Sequence, residues 1–143
     1  MDSITLPATL EALARISAFI ADAAERAGLD EQVAWQVQLA VDEAATNVIQ
    51  HAYAPDAPGE MTLSWRREGD CFIVTLRDFG RQFDPGSIPP PDLSAPLGER
   101  RAGGLGLYLI SRLMDEVRFD FNPQSGNVLT MTRRLTPPEA LSH

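Results

Sequence analysis

The sequence predicts an α+β fold, a two-layer sandwich in which helices cover one face of a mixed, largely antiparallel sheet. Three observations predict it. Apolar residues recur every three to four positions between Leu10 and Ala52, the helical period. From Met61 to Leu76 they alternate with polar residues, the period of a half-buried strand. The segments follow one another as β-α-α-β-β-loop-α-β-β, an order that lets the helices gather on one side of the sheet.

Ser3 to Leu6 reads as a short edge strand. Thr9 is the expected cap of a first helix, with Leu10, Leu13, Ser17, Ile20 and Ala24 on one face and an end near Gly28. Asp30 caps a second helix running to about Ala52, with Val33, Val37, Ala40, Ala44 and Val48 toward the core. The prolines and glycine of "YAPDAPGE" stop it. Met61, Leu63 and Trp65 alternate with Thr62, Ser64 and Arg66, and "EGD" (Glu68 to Asp70) turns the chain into a strand with Phe72, Val74 and Leu76 on one face. A proline-rich loop leads to a glycine-led helix from about Gly104 to Met114. The strands "EVRFDF" and "NVLTMTRRL" follow, joined by a turn around Pro123 to Gly126.

Residues 1–143 read as a single domain with no repeat or linker, long enough to bury a substantial core. The single cysteine, Cys71, excludes an internal disulfide and a cysteine metal cluster, and it fits a reducing, cytoplasmic setting. No apolar run reaches transmembrane length and no leader opens the chain, so no membrane is expected. A net charge of -8 argues against nucleic acid as a partner. All twelve basic residues are arginine. Without lysine there is no P-loop and no protein-kinase-type lysine for the phosphates, so any nucleotide must be held differently.

Three stretches carry chemistry. In "VDEAATNVIQHAY" (Val41 to Tyr53), Glu43 and Asn47 stand four residues apart and so share one helix face. Asp42 beside them is expected to face solvent, and His51 to pack or cap the helix end. In "RDFGRQFDP" (Arg77 to Pro85), Asp78 continues the inward register of Phe72, Val74 and Leu76, where a carboxylate is expensive unless partnered. Either it caps the turn at Gly80 or it awaits a ligand presenting an N–H edge, such as the adenine amino group. In "RRAGGLGLYLI" (Arg100 to Ile110), Gly103, Gly104 and Gly106 open a helix, where backbone can approach a ligand and N–H groups attract phosphate.

In this order the three stretches resemble the N, G1 and G2 boxes of the GHKL ATPases, with their Bergerat-type ATP-binding fold. Within that superfamily, "DEAATNVIQHAY", "DFGRQFDP" and "GGLGLYLI" look like the anti-sigma-factor serine kinases, and the resemblance extends from "ITLPATLEAL" to "TRRL". It implies an ATP- and Mg2+-dependent kinase that binds a sigma factor and phosphorylates a serine of an antagonist protein, and it implies a homodimer. By the same resemblance Asn47 ligates magnesium and Glu43 is the catalytic base. Asp78, Gly80, Phe83, Gly103, Gly104, Leu105, Gly106 and Leu107 form the nucleotide site. The family's late threonine near adenine is expected at Thr130, with Asn127 as the alternative. An ATP lid is expected at about 84–103, from which Arg100 or Arg101 either reaches the γ-phosphate or is an exposed charge. The sequence departs from the superfamily pattern at Gln82, where many members have a second glycine. Two other readings compete: a nucleotide-gated binding module without kinase activity, and a detached histidine-kinase catalytic domain. The second needs a dimerisation helix pair with a phospho-accepting histidine, which this chain does not offer.

Overall fold

The computed structural model describes residues 2–54, 56–81 and 102–135, with backbone alone for 102–107. The described elements are β1 (Asp2–Pro7), α1 (Ala12–Ala27), α2 (Glu31–His51), β2 (Glu60–Glu68), β3 (Cys71–Asp78), α3 (Ala102–Leu113), β4 (Glu116–Asn122) and β5 (Gly126–Arg134), in the expected order. The strands form one five-stranded sheet in the order β1-β2-β3-β5-β4.

Every pairing is antiparallel, which corrects the expectation of a mixed sheet. The connections give the reason. Between β1 and β2 two helices run down and back, returning the chain to the end where β1 finished, so β2 reverses direction. A single helix, α3, would leave β4 parallel to β3, but β5 lies between those two strands.

The helices bury one face of the sheet. Leu6, Met61, Leu63, Phe72, Val74, Leu76, Leu129 and Met131 meet Ile16, Ile20, Val37, Ala40, Val41, Ala44 and Ile110 in one apolar core. Helix α2 lies in the middle, in contact with α1 on one flank and α3 on the other. At its start Asp30 accepts the Val33 N–H at 2.8 Å, the expected cap.

The start of α1 differs from expectation. The helix begins at Ala12, its cap position is Glu11, and no side chain caps it. Thr9 and Leu10 lie in a preceding turn, where their carbonyls accept from Ala12 and Leu13. Leu10 is therefore thrown outward, 63% exposed. The face that packs is Ala12, Ile16, Ile20, Ala23, Ala24 and Ala27, which keeps the expected Ile20 and Ala24 but not Leu10.

Candidate functional site

Strand β3 carries the first part of the site to the end of the sheet. Alternation along Phe72, Val74 and Leu76 sends Asp78 to the helix-covered face, where it is 6% exposed and the one buried charged residue among those described. Its Oδ1 accepts the Gly80 N–H at 2.9 Å, the turn cap anticipated from the sequence. The same Oδ1 accepts Asn127 Nδ2 at 2.9 Å, and Oδ2 accepts nothing among the described residues. The carboxylate is thus oriented by one oxygen while the other keeps its accepting capacity.

Beyond Asp78 the chain leaves the sheet and is held on several sides. Arg81 donates its backbone N–H to the Ala52 carbonyl at 2.7 Å. The Arg81 guanidinium donates to the His51 carbonyl at 3.0 Å, a cation on the negative end of α2. Asn127 Nδ2 also lies within bonding distance of the Gly80 and Arg81 carbonyls, at 3.3 and 3.1 Å. His51 itself is exposed, so its backbone rather than its side chain takes part in closing the helix end. Gly80 is required by this close approach: a methyl there would stand 2.6 Å from the carbonyl carbon of Ala52 and 2.8 Å from its Cβ.

The Gly80–Ala52 contact ties the strand end to the end of α2. At 1.5 Å per residue, Asn47 lies roughly 7–8 Å back along that helix and Glu43 roughly 13–14 Å. Both are half-buried, and neither side chain makes a hydrogen bond or ion pair among the described residues. Asp42 is not solvent-facing as expected. It is half-buried against α1 and accepts the Ser17 hydroxyl at 3.1 Å, and burial pushes its carboxyl above the usual range, partly countered by that bond. Asp42 therefore marks the α1 flank. At about 100° per residue, Glu43 and Asn47 fall on the opposite flank, toward α3. Gln36, two turns before Glu43 on that flank, buries an Oε1 with no partner; nothing in the structure explains it.

Helix α3 begins at Ala102, so Gly103, Gly104, Leu105, Gly106 and Leu107 are backbone positions of its first two turns. Phe83, Gln82, Arg100, Arg101 and the expected lid up to residue 101 lie outside the described residues.

Thr130 is not brought to the site. Pairing sets Asp78 opposite Asn127 and Thr75 opposite Thr130, and paired residues share a face. Leu129 and Met131 point to the helices, so Thr130 points away from them. There it lines a shallow groove with Arg66, Ile73, Glu116, Arg118 and Thr132. Of the two candidates, the structure places Asn127 beside Asp78. Tyr53 is a residue that sequence reasoning missed. Its hydroxyl accepts the Phe79 N–H at 2.9 Å and donates to the Glu60 carbonyl at 2.7 Å.

Fold and site together define a class. Residues 6–133 match the family model of the histidine kinase-like ATPase domain. The chain is 36% identical over 140 residues to the serine-protein kinase RsbW of Halalkalibacterium halodurans, covering 95% of this chain and 84% of that one. It is 35% identical over 137 residues to RsbW of Listeria monocytogenes, covering 90% and 86%. The fold is shared, at a TM-score of 0.63 and 20% identity, with the solved RsbU and RsbW domains of a Mycobacterium tuberculosis protein, matching 96% of this chain and 34% of that chain. The chain belongs to the histidine kinase-like ATPases, on the branch of the RsbW serine-protein kinases.

Proposed function

We propose that this protein is an ATP-dependent protein-serine kinase and anti-sigma factor, which phosphorylates an antagonist protein in a bacterial partner-switching circuit. The observation that carries the nucleotide reading is Asp78, a buried carboxylate oriented through Oδ1 with Oδ2 left to accept. A carboxylate only accepts, so it suits the amino group of adenine and not the carbonyl of guanine. Membership of the RsbW branch supports the acceptor as a protein serine.

The remaining residues fit the phosphate end. The backbone amides at the start of α3 suit an anion. Asn47 offers an unengaged carboxamide oxygen, a hard donor that suits magnesium alongside phosphate oxygens. When bound there, the ion would neutralise charge on the phosphates. Glu43, one turn earlier on the same flank, is the group to orient the serine hydroxyl and take its proton. The serine Oγ–phosphorus bond forms as the bond from the γ-phosphorus to the bridging oxygen breaks. The proton passes to Glu43 and ADP leaves. A lid at about 84–103 and a homodimer complete this reading.

The test is transfer of labelled γ-phosphate to a candidate antagonist by wild type and Glu43→Gln side by side. Transfer should fall by about 10²-fold or more in the variant, with ATP affinity held within a few-fold. Unchanged transfer, or ATP affinity lost along with activity, refutes the role of Glu43. Wild type that binds ATP yet transfers nothing to any antagonist is instead a nucleotide-gated binding module.

A further inference from the structure

The register of β2 and β3 ends with Met61 opposite Asp78, so one more pair would set Glu60 opposite Phe79. That pair is not made. The Tyr53 hydroxyl stands between the two residues, accepting from the Phe79 N–H at 2.9 Å and donating to the Glu60 carbonyl at 2.7 Å. Its ring reaches this position across Gly59, where a methyl would overlap the ring, with Cδ1 at 2.8 Å. The hydroxyl therefore ends the ladder at Asp78.

We propose that Tyr53 is a positioning residue for the nucleotide site, its hydroxyl replacing a ladder pair and so fixing the backbone from Asp78 to Arg81 in its ligand-binding course. This rests on the ATP reading above. Phe79 lies between the two residues that set the adenine end, Asp78 with its carboxylate and Gly80 whose N–H orients that carboxylate. On the other side the segment is held by Asn127 and by the Ala52 carbonyl. Tyr53 supplies the remaining restraint, on the β2 side, and it stands two residues past the end of α2, the helix that carries Glu43 and Asn47. It thus couples the adenine end of the site to the phosphate end through a single side chain. Burial pushes its hydroxyl above the ordinary tyrosine range, partly countered by the Phe79 N–H, while the carboxylates of Asp78 and Glu60 add to the rise. The group stays protonated, and so remains able to donate, throughout the neutral range.

The experiment uses Tyr53→Phe, which keeps the ring in its place and removes only the oxygen. Amide hydrogen exchange of the nucleotide-free protein is followed at residues 79–81, and ATP and GTP binding are measured by calorimetry against wild type. Exchange should rise at those amides, and ATP affinity should fall about tenfold. GTP affinity should hold, so that the preference for ATP narrows. A purely structural role would leave that preference in place. Unchanged exchange overturns the brace. Faster exchange with the ATP-over-GTP preference intact overturns the positioning role. Wild type without affinity for ATP removes the nucleotide reading, and this role with it, whatever the amides do.

Discussion

Gly80→Ala tests how the site is built, because the added methyl meets backbone and not a movable side chain. At 2.6 Å from the carbonyl carbon of Ala52 and 2.8 Å from its Cβ, it would lie inside any tolerated contact. Either α2 shifts or the strand end does. Moving the strand end sacrifices the Arg81 N–H bond to Ala52 at 2.7 Å and disturbs the Gly80 N–H bond to Asp78 at 2.9 Å. Overpacking of this kind costs about 1–3 kcal/mol, and one lost hydrogen bond adds about 1 kcal/mol. The expected loss is therefore roughly 2–4 kcal/mol. At roughly 4 °C per kcal/mol for a domain of this size, the unfolding midpoint should fall by roughly 8–16 °C. Gly69→Ala is the control. Gly69 has φ 57° but nothing within 4 Å of an added methyl, so only backbone strain of about 1–2 kcal/mol applies. Both midpoints are read by calorimetry without nucleotide. If Gly80→Ala melts no lower than Gly69→Ala, the close approach of Gly80 to α2 is not what the structure describes.

Two further substitutions separate roles on α2. Asn47→Ala should weaken ATP binding in magnesium and change it little in a chelator; equal losses in both, read by calorimetry, would make Asn47 structural. Asp42→Asn keeps an acceptor for the Ser17 hydroxyl and removes the half-buried charge. Burial raises the folded carboxyl above its unfolded value, so the charged form costs stability once pH rises through the carboxylate range. The variant should therefore unfold later than wild type at neutral pH, with the gain vanishing on acidification. A gain that persists in acid, followed by denaturant titration at several pH values, would rule out the charge as its cause.

The sequence made the elements legible because their apolar periods are long, and it made Asp78 legible because its strand keeps strict alternation. The same alternation also held the answer to Thr130. With Leu129 and Met131 facing the helices, period two puts Asn127 on the face of Asp78 and Thr130 on the other. What could not be read locally were the residues defined by neighbours distant in sequence. Leu10 fits the helical period of α1, yet the turn bonds at Thr9 and Leu10 delay the helix to Ala12. Asp42 looks like a surface carboxylate until α1 is laid against that flank and Ser17 reaches it. Tyr53 has no signature at all. Its role depends on Gly59 leaving room and on β2 and β3 ending their pairing at one place.

The distribution of hydrogen bonds around Asp78 suits the proposed role of this carboxylate as a binding group as well as a cap. Left wholly unpaired at 6% exposure, it would be too costly for the fold. Satisfied on both oxygens, it would be a structural pin with nothing to offer a ligand. Instead the Gly80 amide and the Asn127 carboxamide converge on Oδ1 alone. They orient the carboxylate without using Oδ2. The braces then take up the backbone on either side, Tyr53 at Phe79 and Ala52 at Arg81. Because these braces come from Ala52 and Tyr53, the two residues that follow α2, the course of the helix that carries Glu43 and Asn47 bears on where Oδ2 points. A ligand held by adenine at one end and phosphate at the other would therefore be measured against a distance that a single helix fixes.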